Sequence, residues 1–180
     1  NTIEDMQLLV DTLLAIARNT TNTLTPEHRS LFNILQELQV DLDSVGQAKG
    51  MQIHLQQHGD EQTRQLYPSM TKMVFGNILR NALNYSQGSE IDIILQKNKV
   101  LIADNGIGIN LPNDVKVLEL SSRQLKLETK GHGIGLQLVQ KLCLQLGWRV
   151  ELFDRQYYLT LQSDLDLKPS TGLIVVVYLG

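Results

Sequence analysis

The stretch from Asp104 to Leu136 constrains the fold of this chain more than any other. It opens with Asp104-Asn105-Gly106-Ile107-Gly108-Ile109 and closes with Gly131-His132-Gly133-Ile134-Gly135-Leu136. The first cluster follows Val100-Leu101-Ile102-Ala103, a short apolar run that reads as a buried strand. The second opens a pattern in which Ile134, Leu138, Val139 and Leu142 recur at helical spacing. An acidic residue therefore stands at a strand end beside two glycines, and a glycine-rich turn feeds a helix N-terminus. Unpaired N–H groups and a partial positive charge make a helix N-terminus suited to phosphate. Glycines let the backbone approach a ligand closely. The pattern predicts a nucleotide site with Asp104 at one end and the Gly131–Gly135 turn at the other.

The rest of the composition sets bounds on that site. At 180 residues and 42% hydrophobic, the chain can build one ordinary core with a short extra element. A net charge of -3 excludes a global basic field of the kind that binds nucleic acid. The single cysteine, Cys143, lies among Val139, Leu142 and Leu146 and reads as a buried structural thiol in a reducing compartment. No apolar run approaches the ~18–20 residues that span a bilayer, so no membrane contact is expected of this chain. No signal peptide is visible, and the start at Asn1 inside a helical pattern suggests a piece of something longer.

Ile3, Met6, Val10, Leu13 and Ala17 alternate three and four apart, an amphipathic seam of the bundle kind that must pack on another helix. Asn19 to Asn22 reads as a linker, which divides the chain into 1–19 and 20–180. Thr25-Pro26-Glu27 predicts a helix start, with Leu31, Ile34, Leu35, Leu38, Leu42 and Val45 on its apolar face. A strand over Met51–Leu55 follows, then a polar loop to Leu66; His54 and His58 have no ligand set and read as surface residues. Ile91–Leu95 and Val100–Ala103 predict a hairpin around Lys97-Asn98-Lys99. From Ile109 to Lys130 no periodicity persists, the pattern of a lid or binding loop. After the helix ending at Leu146-Gly147, strands are expected near Trp148–Phe153 and Tyr157–Leu161, with a central buried strand at Leu173–Leu179.

A helix from Pro68 to about Ser86, capped by Gly88, carries the other unusual feature. Asn77, Asn81, Asn84 and Tyr85 fall at i, i+4, i+7 and i+8, on one shared face, beside an apolar set of Met70, Met73, Val74, Ile78 and Leu79. Asn is a poor helix former and competes with the backbone for hydrogen bonds, so a merely solvated face would be better served by Lys, Glu or Gln. Three asparagines in two turns point to a ligand.

At these residues the chain resembles the sensor histidine kinases within the wider gyrase, Hsp90, histidine kinase and MutL ATPase group. Asn77-Ile-Leu-Arg-Asn81-Ala-Leu-Asn84-Tyr85 resembles the N box, Asp104–Ile109 the first glycine box and Gly131–Leu136 the second, in the family's order. The resemblance implies an α/β two-layer sandwich of the Bergerat type: a mixed sheet on three helices, with an ATP lid. The first helix resembles the second helix of the dimerisation and phosphoacceptor hairpin. ATP and Mg²⁺ are the implied ligands. Asp104 would accept a hydrogen bond from the adenine amine, where guanine presents a carbonyl, which favours ATP over GTP by ~1–3 kcal/mol or more. Asn81 would offer its side-chain oxygen to Mg²⁺. Tyr85 would pack on the adenine face. Gly131, Gly133, Ile134, Gly135 and Leu136 would hold the phosphates, with Lys130 and His132 as further donors. Asn77, Asn84, Gly106, Gly108 and Ile109 complete the implied set, and Arg123 would meet the γ-phosphate.

The sequence departs from the family at three places. Asn84 stands where a lysine is common, and Val117–Arg123 lacks the usual lid aromatics. No acceptor histidine in a stretch like His-Glu-x-x-Arg-Thr-Pro occurs. The expectation is therefore a chain that binds Mg·ATP without phosphorylating itself; label incorporated from γ-labelled ATP would contradict it. The implied partners are a phosphoacceptor helix, a response regulator receiver domain and a second subunit in a homodimer, in the cytoplasmic portion of a membrane sensor. The alternatives are a gyrase, Hsp90 or MutL-like ATP hydrolase, and a degenerate dimer platform. The hydrolases carry a glutamate one turn before the metal-binding Asn, where this chain has Asn77, which takes no proton near neutrality.

Overall fold

The computed structural model describes residues 26–60, 63–108, 117–119 and 133–180, with 118, 119 and 133–135 as backbone, and residues 3, 6, 7, 10 and 14 of the first helical stretch. The elements run β1 (Glu27–Ser30), α1 (Leu31–Ala48), β2 (Gln52–Gln57), β3 (Thr63–Leu66), α2 (Pro68–Tyr85), β4 (Glu90–Leu95) and β5 (Lys99–Asp104). They continue with β6 (Val117–Glu119), α3 (Gly133–Leu146), β7 (Arg149–Asp154), α4 (Arg155–Leu161) and β8 (Leu173–Tyr178).

β1 and β3 form a separate antiparallel ribbon. The main sheet has six strands in the order β2-β4-β5-β8-β7-β6; β2 runs parallel to β4 and the other neighbours are antiparallel. Period-2 alternation divides its side chains between two cores. Val100 and Ile102 of β5, with Val175 and Val177 of β8, meet the layer formed by α1, α2 and α3. Leu101 and Ala103, with Ile174 and Val176, face the other way into a smaller cluster with Phe153, Tyr158, Leu165 and Leu167. The unbroken apolar run of β8 is thereby explained: a central strand covered on both faces has no polar side.

The expected sandwich of a mixed sheet on three helices is present, with a fourth short helix on its far face. Helix α2 lies between α1 and α3, which is why Phe75, Gly76 and Leu83 are buried along with the predicted apolar face. The expected hairpin is β4–β5, and Cys143 is buried with its thiol pushed up to about 12 by loss of solvent.

Several local expectations are corrected. Glu27–Ser30 is a strand rather than the first helical turn, because pairing with β3 (Glu27 opposite Leu66) draws it into the ribbon. The N-cap is Ser30, whose hydroxyl accepts the Asn33 N–H at 3.2 Å. Val45 is 39% exposed, and Gly46 takes its place in the core. Gly88 is not the cap of α2: Ser86 is, and the left-handed residue after it is Gln87, at φ 56°. Within the aperiodic run, Val117–Glu119 is a strand paired with β7. Tyr157–Leu161 is helical, since the Asp154 carboxylate caps the turn by accepting the Tyr157 N–H at 3.0 Å. Tyr158 then points back onto the sheet, edge-on to Phe153 at 4.7 Å. Of the first seam, Ile3, Met6 and Val10 are helical and 50–73% exposed, while Leu13 and Ala17 lie outside the described residues.

Candidate functional site

A cleft lies between α2, the C-terminal end of β5, the N-terminal end of β8 and α3. Ile78, Ala82, Ile102, Leu136 and Val175 make its wall apolar, and Asn81, Ser86 and Asp104 supply polar atoms. Two elements place these polar groups. Asn81 stands in α2 four residues after Asn77, Asp104 ends β5, and Ser86 closes α2.

Asp104 is 5% exposed, and among the described residues both hydrogen bonds to its carboxylate fall on one oxygen. Oδ1 accepts the Gly106 N–H at 3.0 Å and the Leu173 N–H at 3.2 Å. No described residue donates to Oδ2. Burial pushes the carboxyl above the usual range, while those two N–H groups and the Arg155 guanidinium pull it back toward the charged form. Arg155 is itself buried. Its Nη1 donates to the Asp104 main-chain oxygen at 2.8 Å, its Nη2 to that of Lys168 at 2.7 Å, and its Nε has no partner.

The loop after Asp104 is held on every side. The Asn105 side-chain oxygen accepts the N–H groups of Ser89 and Glu90 at 2.8 and 3.0 Å. The Ile107 N–H donates to Ser86 and the Thr171 hydroxyl to the Gly106 carbonyl, each at 2.8 Å. The chains approach so closely that a Cβ on Gly106 would lie 1.9 Å from the Ser86 oxygen, and one on Gly172 2.1 Å from that of Asp104. The absence of a side chain at Gly106 thus lets the loop pack against the end of α2.

Two amides in α2 are unsatisfied. Asn77 is 1% exposed; its Nδ2 donates to the Met73 carbonyl at 2.8 Å and its Oδ1 has no partner. Asn81 has a buried Nδ2 with no partner, and no described residue donates to its Oδ1. Whichever way that amide is turned, a polar atom beside the cleft is left waiting. A hard divalent cation takes oxygen ligands, and the Asn81 Oδ1 suits one.

Of the residues singled out by sequence, the cleft therefore gathers Asn81, Asp104, Gly108 and Leu136. Asn77 lies beneath the surface of α2, Tyr85 is half-buried at its end, and Asn84 turns outward to accept the Lys49 Nζ at 2.8 Å. The four do not form the single ligand face that the spacing predicts. Gly133, Ile134 and Gly135 form the first turn of α3, whose backbone alone is described. Ile109, Arg123, Lys130, Gly131 and His132 lie outside the described residues. Sequence reasoning missed Ser86, Leu173, Val175 and Arg155. Only β8's long-range pairing with β5 brings Leu173 and Val175 here, and no local pattern marks Arg155.

Comparison with known proteins places the fold. The sensor protein QseC of Escherichia coli K12 is 28% identical over 146 residues, which cover 79% of this chain and 32% of the relative. QseC of Salmonella typhi is 28% identical over 145 residues, with the same coverage. The chain thus spans about a third of the length of these relatives. Among solved structures, the cytoplasmic segment of histidine kinase QseC superposes with a TM-score of 0.63 at 22% identity, over 94% of this chain and 89% of that one. Full-length ShkA in complex with AMPPNP gives 0.68 at 17% identity, over 96% of this chain and 35% of that one. These structures share the fold. Residues 68–179 match the family described as histidine kinase-, DNA gyrase B- and HSP90-like ATPase, and with more than half of its length inside that match, this chain belongs to that family.

Proposed function

We propose that this chain is the ATP-binding catalytic part of a sensor histidine kinase, which binds Mg·ATP in the cleft and transfers its γ-phosphoryl group to a histidine supplied by another helix. The observation that carries this reading is the Asp104 carboxylate, held through Oδ1 by two backbone N–H groups, with no donor to Oδ2 among the described residues. A buried acceptor placed against an apolar wall suits the adenine amine and leaves the guanine carbonyl facing a carboxylate, unpaired. Across the cleft Asn81 would give its Oδ1 to Mg²⁺, which supplies charge neutralisation on the phosphates when bound. The first turn of α3 and the Gly131–Gly135 turn before it would hold the phosphates through backbone N–H groups.

Phosphoryl transfer asks the protein for position more than for acid–base chemistry, so a catalytic carboxylate is not required. Asn77, fixed to the Met73 carbonyl, takes the place where a hydrolase of the group would need its general base, which disfavours direct attack by water. In the complete protein, residues 1–19 would form the second helix of a dimeric hairpin, 20–180 the catalytic domain, and the phosphate would pass to a response regulator. The kinase part would be cytoplasmic; no helix among the described residues is long and apolar enough to cross a membrane.

Calorimetric titration with Mg·AMPPNP tests the site, using this chain and Asp104→Ala. Saturable binding abolished in the variant is expected. Binding that survives the substitution would remove Asp104 from the site, and no binding to the unsubstituted chain would refute the nucleotide reading.

A further inference from the structure

The segment between β7 and β8 carries Arg155 under the sheet to the Asp104 backbone, and we infer that Arg155 is a positioning residue that keeps the Asp104 carboxylate placed and ionised for adenine recognition. This role rests on the ATP reading of the cleft. The geometry has three parts. The guanidinium bridges two carbonyls from distant parts of the chain, Asp104 at 2.8 Å and Lys168 at 2.7 Å. The two ends of the same segment are tied to each other, the Arg155 N–H donating to the Gly172 carbonyl at 3.0 Å, and its C-terminal end is tied to the loop after Asp104, the Thr171 hydroxyl donating to the Gly106 carbonyl at 2.8 Å. The charge is buried at 3% exposure, and its Nε has no partner among the described residues.

Bridging two carbonyls needs only neutral N–H donors. A buried guanidinium with an orphaned nitrogen is an expensive way to do it, since a buried charge demands compensation. What the charge adds is its field at the neighbouring carboxylates, Asp92 first, then Asp104 and Glu90. At Asp104 burial favours the neutral acid, a poorer acceptor for an amine, and the guanidinium adds to the pull of the Gly106 and Leu173 N–H groups toward the charged form. Asp92 in turn faces His54 and Asp166, and His54 Nε2 lies 3.9 Å from the Glu90 carboxylate.

The test is titration of Mg·AMPPNP at pH 6, 7 and 8.5 into a His54→Gln parent, in which no imidazole faces Asp92, and into Arg155→Met and Arg155→Lys made in that parent. The unsubstituted chain is titrated alongside, and folding is checked by thermal unfolding. Arg155→Met is expected to weaken binding about tenfold at pH 7, the order of one charge-assisted interaction. The loss should be larger at pH 6 and smaller at pH 8.5, with Arg155→Lys restoring the pH profile of the parent. A folded Arg155→Met that binds normally, or that loses the same factor at every pH, overturns the role and leaves the nucleotide site standing. Absence of binding by the unsubstituted chain instead defeats the nucleotide reading itself. Should Arg155→Met not fold, Arg155→Gln, which keeps a donor and loses the charge, is read against Arg155→Lys by the same criterion.

Discussion

Replacing Gly106 by alanine tests whether the first glycine box is built for the ligand or for the fold. The new Cβ would lie 1.9 Å from the Ser86 carbonyl oxygen and 2.5 Å from its carbon, where ordinary contacts begin near 3.4 Å. Both atoms are main chain and cannot rotate away. The loop must therefore retreat from the end of α2, and three bonds go with it. The Ile107 N–H leaves Ser86 (2.8 Å), the Gly106 N–H leaves the Asp104 carboxylate (3.0 Å), and the Thr171 hydroxyl leaves the Gly106 carbonyl (2.8 Å). At about 1 kcal/mol net for each, the loss is about 3 kcal/mol. Alanine restricts the unfolded chain and returns about 0.4–1 kcal/mol, so about 2–3 kcal/mol remains. In urea unfolding the midpoint should fall with an unchanged slope, and the melting temperature should drop by about 4–12 °C. Mg·AMPPNP binding, measured where the variant is still folded, should weaken as well, because Asp104 loses one of the two N–H groups that orient it. A stability loss below about 1 kcal/mol would refute the reasoning: Ser86 and Gly106 would then separate freely, and the glycine would be needed by the ligand alone.

Other outcomes follow from the same structure. Asp104→Asn keeps an oxygen for the Gly106 and Leu173 N–H groups and removes a buried charge, but turns a donor toward the adenine amine. Because burial raises the Asp104 carboxyl, the folded state holds its proton to higher pH than the unfolded chain. The carboxylate's penalty is therefore absent in acid and grows as pH rises through the folded-state value. Asp104→Asn should lose nucleotide binding while matching or exceeding the parent's stability at pH 8, and the gain should vanish in acid; a variant less stable at pH 8 contradicts this. Phe75→Ala empties a fully buried site against Trp148, 5.8 Å between ring centres, and should cost about 3–5 kcal/mol in urea unfolding. A cost under about 1.5 kcal/mol would mean that α2 collapses onto the gap. Cys143, with its thiol pushed up to about 12, should resist a thiol reagent in the native state and react only on unfolding; rapid native labelling would show the helix to be far less closed than its burial indicates.

Local pattern in the sequence was enough to locate β2, β4, β5, β7 and β8, the hairpin at Lys97–Lys99 and the asparagine-bearing helix, because each is written in spacing or turn chemistry a few residues long. It also contained the cap at Asp154, but the aromatic run Tyr157–Leu161 favoured a strand, and only packing on Phe153 shows why a helix there is the better solution. The same competition decided Glu27–Ser30, where a local helix signal yields to pairing with a strand more than 30 residues away. The site divides along the same line. Asp104 and Asn81 are legible because unusual residue types stand at fixed offsets. That Asn84 turns away to Lys49, that Gly106 faces Ser86, and that Leu173 and Arg155 hold the Asp104 carboxylate and backbone depend on contacts spanning 20 to 69 residues. Such contacts leave no periodic trace, since nothing near Arg155 in the chain specifies a partner 51 positions away. The tertiary fold decided them by bringing the end of β5, the end of α2 and the approach to β8 to one place.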